Sequence, residues 1–213
     1  MRPFRPSFLA AALCLLLAAC GMLPPATMAA LATLDPLTMK PGDVRVVVTF
    51  PDGIRLKPGD VVMDVGWKEK DSGREIKRHF ALELVTGNAA APAIGRMLRP
   101  DERLYLLMLT PRDAESFQAL QQEVIAARDA GRGGTGTLSV GFAGGCTADP
   151  ALKAGPLKTS VLLRPDGDAR YLPIFADMDL MDTLRRAGLK EVPECTDDYA
   201  GPARPQAAAG PGL

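Results

Sequence analysis

One histidine, one tryptophan, three tyrosines and four cysteines are all that this 213-residue chain offers of the residue types that most often ligate, stack or react. The lone histidine excludes multi-histidine metal centres, and any Ser-His-Asp or Cys-His mechanism would have to pass through His79. An aromatic content of 5% leaves few platforms for stacking sugars or bases. Lys and Arg number 25 and Asp and Glu 25, with no basic cluster, which argues against a nucleic-acid partner and against a polybasic contact with anionic lipid. No apolar run reaches the about 20 residues a membrane span requires. A Gly-x-Ser-x-Gly elbow is missing, and Ser139 and Ser160 fall within strand patterns, a poor setting for an exposed nucleophile. The glycine-rich Gly131-Arg132-Gly133-Gly134-Thr135-Gly136 lacks the Gly-Lys-Ser/Thr ending of a phosphate loop and follows a helical pattern, so it reads as a linker.

What is present begins at the N-terminus. Arg2 and Arg5 precede the apolar run Phe8 to Leu17, which ends in Leu17-Ala18-Ala19-Cys20 followed by Gly21. A basic start, an apolar segment and a small-residue cleavage region compose a secretory signal. Small residues directly before a cysteine resemble the lipobox of bacterial lipoproteins. The resemblance implies cleavage before Cys20, a diacylglyceryl thioether on its sulfur and further acylation of the new amino group. Gly21, in place of Asp, implies sorting to the outer membrane. The rival readings are an uncleaved anchor, for which the run is short, and a plain secretory signal cut after Ala29 or Ala30. Each buried methylene contributes about 0.8 kcal/mol, so two or three chains hold a protein on a bilayer almost permanently.

Four segments follow from this reading: residues 1–19 as cleaved signal, 20–33 as lipidated N-terminus and short tether, 34–199 as one β-rich domain, and 200–213 as a disordered Ala/Pro/Gly tail. Cys14 leaves with the signal and Cys20 is lipidated. Cys146 and Cys195 remain, and in an oxidising compartment they are expected to pair. Such a bond would tie the C-terminal segment to the domain body and contribute on the order of 4 kcal/mol.

Within the domain the dominant period is two. Val44, Val46, Val48 and Phe50 share a face; so do Val61, Met63, Val65 and Trp67; so do Phe80, Leu82 and Leu84. This is the pattern of half-buried antiparallel strands. Leu104 to Leu109 is uniformly apolar, as in a strand covered on both faces. Leu138, Val140 and Phe142 form a further strand, and Val161 and Leu163 another. Arg164-Pro165-Asp166-Gly167 marks a hairpin leading to Arg170–Ile174. Lys40-Pro41-Gly42-Asp43 and Lys57-Pro58-Gly59-Asp60 read as two type II turns. Thr110 and Pro111 open a helix carrying Phe117, Leu120 and Val124 at helical spacing. A shorter helix is expected from about Asp179 to Ala187, with Gly188 after its end. The chain is therefore expected to be mainly β: an antiparallel sandwich of about seven strands with one inserted helix and a short C-terminal helix. A curved sheet packed on the long helix, an α+β arrangement, is the alternative.

Asp177, Asp179 and Asp182 could gather oxygens for a cation, but acids at a helix start complement its dipole without one. No catalytic residue, cofactor or metal site is assigned. The reading is a lipid-anchored, non-enzymatic envelope protein that binds another envelope protein or assists assembly. The alternatives are a carboxylate-dependent hydrolase and a small-ligand-binding module.

Overall fold

A computed structural model describes residues 34–85 and 99–199. Cys20 and the segments expected to be leader, tether and Ala/Pro/Gly tail lie outside these residues. The described chain is mainly β and antiparallel. Strands β1 (Arg45–Pro51), β6 (Glu102–Met108), β9 (Lys158–Arg164), β10 (Leu172–Asp179) and the two-residue β5 (Glu83–Leu84) form one sheet in the order β10-β9-β1-β6-β5. Strands β3 (Val61–Glu69), β4 (Glu75–Ala81) and β7 (Gly134–Phe142) form a second, in the order β4-β3-β7. The short β2 (Ile54–Arg55) and β8 (Cys146–Thr147) pair separately. Among the described residues no sheet closes into a barrel.

The alternating valines decide which face each strand buries. Val46, Val48 and Phe50 of β1 meet Val61, Met63, Val65 and Trp67 of β3 in one core, joined by Tyr105, Leu107, Val161 and Leu163 from the larger sheet. Each fully buried side chain of this size contributes about 1.5–3 kcal/mol. Phe50 and Phe142 meet edge to face across the two sheets, with centroids 5.4 Å apart. The centre of the five-stranded sheet is covered on its outer face as well. Val47, Leu106 and Leu162 cluster there with Leu104 and Tyr171, which is why Leu104–Leu109 shows no alternation.

Helix α1 (Pro111–Asp129) starts as the sequence indicates: Thr110 Oγ1 accepts from the Asp113 amide at 3.0 Å, and Pro111 occupies the first turn. Its buried stripe is Phe117, Leu120, Gln121, Val124 and Ala127. Phe117 stacks on Phe80 of β4, and Arg74 just before β4 and Arg78 within it both reach Glu123. The helix therefore lies along the β4 side of the smaller sheet. Gln121 Nε2 donates to the carbonyls of Pro36 and Met39, which fastens the start of the domain to the helix. Helix α2 (Leu180–Arg186) is capped by Asp179, and Gly188 follows its end at φ 88°.

Three local expectations are corrected. Pro41–Asp43 is a 3-10 turn rather than type II; only Gly59 of the two turn glycines takes a positive φ, at 88°. The run Phe80, Leu82, Leu84 is not one strand: β4 ends at Ala81, and β5 belongs to the other sheet, so Leu82 lies at the crossing. Gly134 and Gly136 are not linker but the first half of β7. At Gly134 the missing side chain is the reason, because the Trp67 ring occupies the place where a Cβ would sit; at Gly136 Pro36 lies at ordinary contact distance.

Candidate functional site

The outer face of the three-stranded sheet carries polar side chains in ordered rows. Register sets it in rows across β4, β3 and β7: His79–Asp64–Ser139, Lys77–Gly66–Thr137 and Glu75–Lys68–Thr135. Adjacent strands lie about 4.8 Å apart, so side chains within a row touch. His79 Nδ1 lies 3.0 Å from Asp64 Oδ1, and Lys77 Nζ lies 3.7 Å from the same oxygen. Gly66 keeps the middle row flat, because a Cβ there would press on Thr137 Oγ1 and the Ile76 carbonyl. His79 points away from the core, as its register implied.

This row contains a serine, a histidine and an aspartate, but in the wrong order. A nucleophilic relay needs histidine between serine and aspartate. Here Asp64 stands between them, and Ser139 and His79 are separated by two strand spacings, about 10 Å. The row cannot move a proton from Ser139 to His79. The face as a whole can present the hydroxyls of Ser139 and Thr137, the Asp64 carboxylate and the Lys77 ammonium to a partner.

The three candidate metal carboxylates are spread over three tasks. Asp177, at φ 55°, reaches Arg99 at 3.1 Å, and the Arg99 guanidinium holds its carboxyl below the usual range. Asp179 Oδ1 accepts from the amides of Leu157 and Met181. Asp182 faces Arg185 at 3.5 Å. Among the described residues no group of three His, Cys, Asp or Glu side chains is placed to hold a metal ion.

Cys146 and Cys195 form a disulfide, with Cα atoms 4.9 Å apart. The two glycines before Cys146 have distinct jobs. Gly144 lies against the Asp60 carboxylate, where a side chain would collide, and its amide donates to the Asp60 carbonyl. Gly145 takes φ 128° and turns the chain into β8. The C-terminal segment then runs beside β8: the Thr147 amide donates to the Pro193 carbonyl at 2.9 Å and the Cys195 amide to the Thr147 carbonyl at 3.0 Å. Lys153 and Glu194 add an ion pair, which raises the ammonium and lowers the carboxyl relative to their ordinary values.

Sequence reasoning missed a second cluster, at the β1–β2 corner. Arg103 donates to Asp52 Oδ1 through Nε and Nη2, at 3.2 and 3.0 Å, and Arg55 lies 3.8 Å from the same oxygen. Tyr105 Oη donates to the Ile54 carbonyl at 2.6 Å, and burial pushes its phenol above the usual value. The group fastens the corner to β6. Its one visible signal was the polar start of β6, Glu102, Arg103 and Tyr105, which carries no motif.

No helix among the described residues is long and apolar enough to cross a membrane. No family model, curated protein or solved structure matches the chain.

Proposed function

We propose that the chain is a lipid-anchored, non-enzymatic protein of the bacterial envelope, acylated on Cys20, that presents its sandwich to another envelope protein. The observation that carries the reading is Leu17-Ala18-Ala19-Cys20 at the end of a basic-then-apolar leader. The disulfide supports it in two ways. It suits an oxidising compartment, and it uses two of the three cysteines from Cys20 onward, leaving Cys20 as the remaining thiol. Gly21 supports sorting to the outer membrane, with the domain facing the periplasm. The flat, mixed-charge outer face around Asp64, Lys77 and His79 suits contact with a protein surface. Metabolic labelling with palmitate tests the anchor: label is expected in the native chain and not in Cys20→Ala. Cross-linking of the native chain in its own envelope tests the role. A defined protein partner, lost or reduced in Cys20→Ala, is the expected result. An unlabelled chain overturns the anchor, and a chain that cross-links to no other protein overturns the binding role.

A further inference from the structure

Among the described residues, three of the four edges of the two larger sheets are closed to pairing by recognisable means. β4 is flanked by α1 and carries Glu75, Lys77 and Arg78. β10 contains Pro173 and two register shifts. β6 carries Glu102 and Arg103 and is met by the short β5. Short strands, charges, proline and bulges are the usual devices against edge-to-edge association. β7 has none of them. Gly134–Phe142 is nine residues long, holds an unbroken register with β3, and contains no charge and no proline.

The register also says which groups the open edge presents. The Lys70 amide donates to the Gly133 carbonyl, and the Ala143 amide to the Asp60 carbonyl. Hydrogen-bonded and non-bonded pairs alternate along an antiparallel ladder. Thr135, Thr137, Ser139 and Gly141 therefore bond to β3, while Gly134, Gly136, Leu138, Val140 and Phe142 turn their amides and carbonyls the other way. Among the described residues none bonds to that side.

The geometry points to a second copy of this chain as the occupant, paired through β7 about a two-fold axis at Leu138. Antiparallel pairing of the strand with itself sets Leu138 against Leu138 of the other copy, Gly136 against Val140 and Gly134 against Phe142, all of them residues whose backbone groups face the edge. Each small residue meets a large one, and an aromatic ring over an edge glycine is a known device for filling that gap. On the outer face Thr137 comes opposite Ser139 in the close, non-bonded pairing that favours hydroxyl contact. No like charges meet along the seam. The two three-stranded sheets become one of six, and the pairing consumes the edge, so it closes at the dimer. A nine-residue strand is about 30 Å long. Such a seam buries less than the about 1,200 Å² of a stable interface, so the dimer is expected to form in the micromolar to millimolar range. The proposal does not rest on the anchor: a chain lacking it would pair the same way.

The test is sedimentation velocity with hydrogen–deuterium exchange on the full chain in detergent, across a concentration series. Dimer is expected at high concentration, with the Gly136, Leu138 and Val140 amides slowed at least about tenfold as it forms. The Thr137 and Ser139 amides, already bonded to β3, are expected to be slow throughout. Ser139→Lys places two ammonium groups beside the axis while facing Asp64 within its own chain. It is expected to weaken dimerisation at least about tenfold and leave the thermal midpoint unchanged. A monomer at every concentration overturns the proposal and leaves the edge to a foreign strand. So does a dimer whose edge amides stay fast, an edge already protected in the monomer, or growth into larger polymers.

Discussion

Removing the disulfide should destabilise the whole domain and not only its C-terminal end. Cys146 and Cys195 are separated by 49 residues, and that loop contains β9, β10 and α2, all part of the principal core. In the chain-entropy model, closing a loop of that size restricts the unfolded ensemble by about 4 kcal/mol. Domains of this kind are stable by about 5–15 kcal/mol in all, so the bond is a large share of the total. Among the described residues the native contacts that would remain at the C-terminal end are few: the Pro193 and Cys195 hydrogen bonds to Thr147, the Val192 amide to the Lys153 carbonyl, the buried Val192 side chain, and the Lys57 ammonium over the Tyr199 ring. The Lys153–Glu194 pair is solvent-exposed and adds little. The assay is urea unfolding of the native chain and of Cys146→Ala/Cys195→Ala. With a slope of about 2 kcal/mol/M, the midpoint should fall by about 2 M. A loss below about 1 kcal/mol would refute the reasoning, because the ends would then already be close in the unfolded chain. A separate early transition confined to residues 192–199 would refute it differently, by showing that the bond secures only that segment.

Gly144→Ala should cost about 2–3 kcal/mol in thermal unfolding, because its Cβ would collide with the Asp60 carboxylate, which is itself held by the Lys57 amide. Gly42→Ala, with open space around it, should stay within about 0.5 kcal/mol in the same measurement. Tyr105→Phe should cost about 1 kcal/mol at neutral pH through the lost bond to the Ile54 carbonyl. Burial raises the Tyr105 phenol above its ordinary value of 10.0, so its contribution is complete below that pH and is lost as pH rises beyond it; the variant should show a flatter alkaline limb when unfolding is followed from pH 9 to 12.

The architecture was legible because its signals are local and periodic. The rows Val44–Phe50 and Val61–Trp67 fix a face by alternation alone, and both faces are buried as read. Helix α1 announces itself by its cap and proline, and seven strands of seven residues or more match the expected number, with three two-residue strands added. The failures fall where a residue's role depends on a distant neighbour. Gly134 and Gly136 read as linker because glycine is a poor strand former in isolation. Gly134 belongs to β7 because Trp67 fills the space a side chain would have taken, and Gly136 is held in the strand by its pairing with Trp67 of β3. Gln121 and Asp60 are polar residues that patterning would place in solvent. Each is buried because backbone groups far along the chain or across a turn accept or donate to it.

The same distinction explains why the proposed anchor can be read from a line of residues and the proposed contact surface cannot. Leu17 to Cys20, in the proposed reading, would act as a linear signal, for which order along the chain is all that matters. A surface on a sheet is written across strands. Asp64 meets His79 through one register and Ser139 through another, and a shift of a single residue in either would send its partner to the opposite face. Even the presence of serine, histidine and aspartate in one row says nothing until their spatial order is known, and here that order rules out the relay their identities suggest. The β7 edge makes the point from the other side. Its sequence carries no motif, and its importance lies in devices it lacks, which become visible only once the sheet order leaves it on the outside.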